Sequence, residues 1–169
     1  MRGPAGGRLV WRPEQQEPVQ LIAGGSGVVP LMAIIRAHAL ADSRAPLRLL
    51  YSARQPGSVI YHAELKRRDT TTAHLSVTYA YTRTAPPGAA LPPGRIDARL
   101  LARVTWPPAL AATCYIAGPA AFVDTITRLL TSIGHHSDRF RTEHFTAPQP
   151  APPIGAEVGH RLPGTERAA

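Results

Sequence analysis

Cysteine is nearly absent from this sequence. Cys114 stands alone in 169 residues, which excludes a disulfide framework and a zinc site built from several thiolates. Lysine is as scarce: 18 of the 19 basic residues are arginine, and Lys66 is the exception. No uninterrupted apolar run is long enough to cross a bilayer. Residues 18–35 and 104–123 carry no charge, but Gly24, Gly25, Ser26, Gly27 and Pro30 break the first, and Pro107, Pro108 and Pro119 break the second. A spanning helix needs about 20 apolar residues without such breakers. No basic segment followed by an apolar one opens the sequence, so no secretory signal is read there. No internal repeat is seen. These absences lead to the expectation of a soluble cytoplasmic domain that makes no membrane contact.

The composition that remains is that of a globular chain. Hydrophobic residues make up 44% and charged residues 18% of 18.1 kDa, enough for one domain with a substantial core. The net charge is +8 and the isoelectric point 10.7. The arginines are scattered from Arg2 to Arg167, only Lys66, Arg67 and Arg68 cluster, and no aromatic residues interleave with them. No nucleic-acid surface is therefore expected. The bulk charge suits an anionic small molecule or an acidic protein partner equally well. None of the seven histidines belongs to a set at metal-ligand spacing, and no metal site is expected. His135 and His136, following Gly134, are read as cations favoured by a helix C-terminus.

Short apolar runs alternate with helical periods along the chain. Strands are expected at Val19–Ala23, Leu47–Ala53, Leu75–Tyr81, Thr113–Ala117 and Asp138–Phe145. Helices are expected at Val28–Ala41, with Leu31, Ile34, Ile35 and Leu40 on the apolar face, and at Val59–Arg68, with Ile60, Ala63 and Leu65 inward. A short helix capped by Asp97 is expected at Asp97–Arg103. Pro119–Ile133 reads as the clearest amphipathic helix, starting at a proline and ending at Gly134. Residues 84–96, with four prolines and two glycines, read as a long surface loop, and the proline-rich stretch 147–169 as a disordered tail. Strand and helix in alternation imply an α/β fold with a parallel sheet and helices on both faces. Ligands of such sheets sit beyond the carboxyl ends of the strands.

Four segments fall there. Gly24, Gly25, Ser26 and Gly27, ahead of Pro30, join the first strand to a helix, where glycine lets the backbone pass close to a diphosphate and the helix N-terminus offers free N–H groups. Their spacing is not G-x-G-x-x-G, and Ser26 lacks the glycine pattern of a hydrolase nucleophile. Ser52 and Arg54 end the second strand. A hydroxyl and a guanidinium, where an acid would suit an unphosphorylated ribose, suit a 2′-phosphate. Gly118 and Pro119 repeat the strand-to-helix turn. Glu143, His144 and Phe145 end the last strand, where Phe145 could stack on a flat ring or close the core.

Taken together and in order, VQLIAGGSGVVPLMAII, LRLLYSARQPGSVIYHAEL, VTYAYTR, TCYIAGPAAFVD and RFRTEHF resemble the NAD(P)-binding half of the ferredoxin–NADP reductase superfamily, most closely its actinobacterial FAD/NAD(P)-binding oxidoreductases. The resemblance covers about residues 1–147. It implies a five-stranded parallel sheet in order 3-2-1-4-5, with residues 19–146 as the NAD(P)-binding domain and residues 1–18 as the end of a flavin domain and its linker. It implies that Gly25–Pro30 receives a pyrophosphate, that Ser52, Arg54 and Tyr61 lie by the adenosine ribose, and that Thr82 and Arg83 line the same cleft. Gly118 and Pro119 would border the nicotinamide, with Glu143 and Phe145 near the flavin ring as the residues closest to catalysis. NADP or NAD would be the bound cofactor. FAD would belong to the complete enzyme, held by a flavin-binding domain or subunit, with a ferredoxin-like or haem protein as electron acceptor. The chain departs from the family at Ala117, where cysteine is frequent, and at Val29, where threonine is frequent. Those departures favour the alternative, a decayed and non-enzymatic nucleotide-binding or interaction module. Cys114 lies three residues before Ala117, on the opposite face of a strand, and reads as an inert core thiol.

Overall fold

The computed structural model describes residues 9–145; the expected tail at 147–169 and the first eight residues lie outside that range. Five strands, β1 (Val19–Gly24), β2 (Leu47–Ala53), β3 (Leu75–Tyr81), β4 (Thr113–Pro119) and β5 (Phe140–Phe145), form one sheet in the order β3-β2-β1-β4-β5. Every neighbouring pair is parallel, with Val19 opposite both Leu47 and Thr113. The helices are α1 (Val28–Leu40), α2 (His62–Thr71), α3 (Ala98–Val104) and α4 (Ala120–Ser132).

Alternation within each buried strand sorts its side chains between two cores. Leu21, Leu49 and Tyr115 join Leu31, Ile35 and Leu65 beneath α1 and α2. Ile22, Leu50 and Ile116 join Leu101, Ile126 and Leu130 beneath α3 and α4. Cys114 falls in the second core and Ala117 in the first, both fully buried. Burial pushes the Cys114 thiol up to about 12. Asp97 caps α3 as expected, accepting the Leu100 N–H at 2.7 Å. Among the described residues no helix is long and apolar enough to cross a membrane.

Three local expectations are corrected. Helix α2 begins at His62 rather than Val59, because Tyr61 adopts the left-handed conformation (φ 59°) and the Ile60 N–H donates to the buried Tyr51 hydroxyl at 3.1 Å. Ile60 and Ala63 are consequently exposed, and of the three residues expected inward only Leu65 is buried. Leu40 closes α1 on its solvent side, 90% exposed. His135 is buried, and desolvation, aided by neighbouring His136, lowers its pKa, so it is held as a neutral ring rather than a helix-end cation. Its Nε2 has no hydrogen-bond partner.

Candidate functional site

Strand order reverses between β2 and β4, on either side of β1, and two helices start beside that switch point. The β1 backbone runs through a single 3₁₀ turn at Gly25–Gly27 directly into α1. Neither the turn nor α1 has a side-chain cap, and no acid stands in the first turn of either. Helix α4 begins from Pro119 at the end of β4, also without a side-chain cap or an early acid. Two sets of free backbone N–H groups and two positive dipole ends are thus left for a ligand.

Each glycine at this corner has its own reason to be glycine. Gly25 has φ +55° and open space where a Cβ would point. A Cβ on Gly27 would lie 2.0 Å from the Ala117 carbonyl oxygen, so Gly27 lets α1 start against the β4 backbone. Cβ atoms on Gly24 and Gly118 would both strike the Phe122 ring, at 2.6 and 2.9 Å. The corner therefore packs tightly below and stays open at Gly25, a shape that fits a diphosphate approaching the amides.

A crevice of about 250 Å³ opens there, lined by Gly24, Gly25, Ser52, Ala53, Arg54, Thr82, Pro119 and Phe122. Ser52, Thr82 and Phe122 also border a second cavity of about 180 Å³, shared with Arg95, Ile96, Thr125 and Ile126. The lining of the two includes two guanidiniums and no carboxylate, an electrostatic setting for an anion.

The structure brings Gly24, Gly25, Ser52, Arg54, Thr82 and Pro119 together at this crevice. Gly118 lies beneath it, its Cβ direction 3.2 Å from Gly24 Cα. Ser26 and Gly27 form the turn behind Gly25, with Ser26 exposed and Gly27 buried, and Pro30 is half-buried in the first turn of α1. Arg83 follows Thr82, and its N–H donates to the Arg54 carbonyl at 3.0 Å. Glu143 lies opposite Ala117, and Phe145 lies opposite Pro119 and packs on the first core. Tyr61 is not among the lining residues. It stands at the start of α2 with the Arg36 guanidinium 5.1 Å above its ring.

Phe122 and Arg95 are among the lining residues that escaped the sequence reading. Phe122 reads as part of the apolar face of α4, and its signal as a crevice residue is only its place three positions after Pro119. Arg95 sits in a segment read as surface loop. Among the described residues no group of three or more histidine, cysteine or acidic side chains is arranged to hold a metal ion.

A family model described as the oxidoreductase NAD-binding domain matches residues 21–128. The glycine betaine monooxygenase reductase subunit of Pseudomonas aeruginosa PAO1 is 27% identical over 146 residues, covering 84% of this chain and 38% of that protein. The NADH oxidoreductase HCR of Escherichia coli K12 is 30% identical over 129 residues, covering 76% of this chain and 36% of its own. This chain therefore spans less than two-fifths of the length of either relative. Among solved structures, the Amycolatopsis cytochrome P450 reductase GcoB superposes with a TM-score of 0.72 at 19% identity, covering 86% of this chain and 43% of that one. A ferredoxin NADP+ reductase from Neisseria gonorrhoeae, crystallised with FAD and NADP, gives 0.65 at 18% identity, covering 83% and 61%. At those identities the structures speak for the fold: a five-stranded parallel sheet in order 3-2-1-4-5 with helices on both faces.

Proposed function

The chain belongs to the oxidoreductase NAD-binding domain family, and from that premise we propose that it holds a nicotinamide dinucleotide and presents it to a flavin carried by another domain or subunit. The observation that carries this reading is the pair of uncapped helix starts meeting over open Gly25 in a crevice free of carboxylates. In this reading residues 19–146 are the dinucleotide-binding domain and residues 1–18 the end of the flavin domain. The amides at Gly25–Gly27 receive the pyrophosphate. Ser52 and Thr82 face the adenosine ribose, with Arg54 and Arg83 supplying positive charge, and Tyr61 borders that end. Gly118 and Pro119 leave room for the nicotinamide, and Glu143 and Phe145 stand at the end of β5 where the second domain would close over it.

A nicotinamide held at Gly25–Gly27 and Gly118–Pro119 would supply a hydride for a flavin held elsewhere, whose electrons would go on to a ferredoxin-like or haem acceptor. This chain's contribution is orientation: it fixes the diphosphate so that the ring meets its acceptor at reacting distance. The name of one relative, the reductase subunit of a monooxygenase, supports a redox partner in general.

Titration of the purified chain with NADPH and with NADH, followed by the fluorescence of the reduced ring, tests the reading. Saturable one-to-one binding of at least one is expected. Absence of saturation by either overturns it and leaves the non-enzymatic module, the reading that Ala117, a buried methyl at the end of β4, favours.

A further inference from the structure

At the other edge of the sheet, where the chain enters β4 and β5, lies a cavity of about 260 Å³. The turn at Pro108–Leu110, ended by left-handed Ala111 (φ 48°), joins Ala112 in an apolar wall. The polar side comes from the return between α4 and β5: His135 and His136, then Asp138 and Arg139 in the turn that precedes the last strand. A strand rises about 3.3 Å per residue, so the length of β4 puts about 20 Å between this cavity and the glycine corner.

Two of the polar groups stand without partners. His135 is only 6% exposed, and its Nε2 is closed to solvent with no hydrogen bond. A buried polar atom in that state carries a penalty that a ligand able to bond it removes. Because Nε2 is closed over, the imidazole has to turn slightly to meet a ligand oxygen, and the hydrogen bond gained favours that turn. Arg139 is exposed and makes no salt bridge among the described residues. Glu17, ahead of β1 at the same edge, is engaged elsewhere: it accepts from the Thr113 hydroxyl at 2.9 Å and from the Gln15 amide at 3.2 Å.

The charges around the cavity narrow the ligand. A guanidinium fork matches a planar carboxylate. Arg141, whose Nη1 donates to the Asp138 carbonyl at 2.8 Å, brings a second guanidinium beside the rim. The Asp138 carboxylate on the same rim opposes a dianion more strongly than a monoanion. The apolar wall suits a hydrocarbon body, and the volume is below that of a drug-sized pocket. We propose that this cavity binds a small organic monocarboxylate, with its charged end on Arg139 and the His135 imidazole and its hydrocarbon against Pro108, Ala111 and Ala112. Such a site stands apart from the glycine crevice and does not depend on what that crevice holds.

Benzoate, a planar carboxylate on an apolar ring, is the probe. Titrated calorimetrically into the full chain at pH 7.5, it should saturate one site with a Kd of about 1 mM, the scale for so small a ligand. Benzamide, its neutral counterpart, should bind about tenfold more weakly. Neither inorganic phosphate at equal concentration nor saturating NADPH should displace benzoate. Arg139→Ala should weaken benzoate about tenfold, and Arg139→Lys should retain part of the affinity, keeping the charge without the fork. In a ring-carbon NMR spectrum, the histidine signal that His135→Leu removes should move in step with saturation. No saturation in wild type, full affinity in Arg139→Ala, benzamide binding as tightly, a stationary His135 signal, or displacement by phosphate or NADPH each overturns the proposal. The Arg139 variants alter an exposed side chain, so they decide the matter even where His135→Leu fails to fold.

Discussion

Gly25 and Gly27 stand two residues apart in the same turn and face opposite constraints. Gly25 needs its backbone angle and has space; Gly27 has an ordinary angle and no space. An alanine at 25 costs about 1–2 kcal/mol for the left-handed conformation, while an alanine at 27 must push strand β4 away from α1. Urea denaturation should show Gly27→Ala losing about 3 kcal/mol or more, with Gly25→Ala folding well and losing less. Equal losses would contradict the packing described here. The sequence makes the glycine corner visible as a whole, since four small residues between an apolar run and a helical period have few other uses. It does not divide the labour within it. That division depends on how closely the Ala117 carbonyl approaches, and no local pattern records a neighbour 90 residues away. Arg95 was hidden for the same reason: its position depends on the hydrogen bond between Gly94 and Tyr81.

At the scale of elements, α1 and α2 are tied by one carboxylate. Glu64 on α2 accepts two bonds from Arg36 on α1, at 3.1 and 2.7 Å, and one from Arg68 a turn further along its own helix, at 2.9 Å. The Arg36 guanidinium first, then that of Arg68, holds the Glu64 carboxyl down to about 2 from its ordinary 4.5. The folded state therefore releases this proton more readily than the unfolded chain. The stabilisation is complete above about pH 4.5 and is lost as pH falls toward 2. Acid unfolding of Glu64→Gln, measured by circular dichroism, should be less steep across that window than that of wild type, with the variant less stable at pH 7. Parallel curves would remove Glu64 from the account. The strands β2 and β3 coincide with the runs that the sequence marks, β2 as a short apolar run that stops before Pro56 and Gly57 and β3 by its two-residue alternation. Helix α2 was less legible. Its starting residue is set by the buried Tyr51 hydroxyl, which takes the Ile60 N–H and leaves Tyr61 left-handed.

For the molecule as a whole, parallel pairing gathers every strand's carboxyl end at one edge, and the candidate site occupies that edge between β2, β1 and β4. The opposite edge carries His135, buried and neutral. Its folded pKa lies below the ordinary 6.5, so between the two values the unfolded chain binds more protons than the folded one. Stability should consequently decline as pH falls below about 6.5. His135→Leu should flatten that part of the stability–pH curve in urea titrations, and an unchanged slope would show that other groups govern it. The class of fold followed from alternating strand and helix periods. The strand order did not, because periodicity states which elements form and not which lie side by side; it came with the family resemblance, and the sheet has that order. Cys114 adds a practical consequence. The chain's single thiol is sealed between the sheet and α4, in a strand flanked on both sides. A thiol-reactive dye can reach it only while the centre of the sheet is open, so the rate of labelling is a built-in clock for how often the native protein comes apart there.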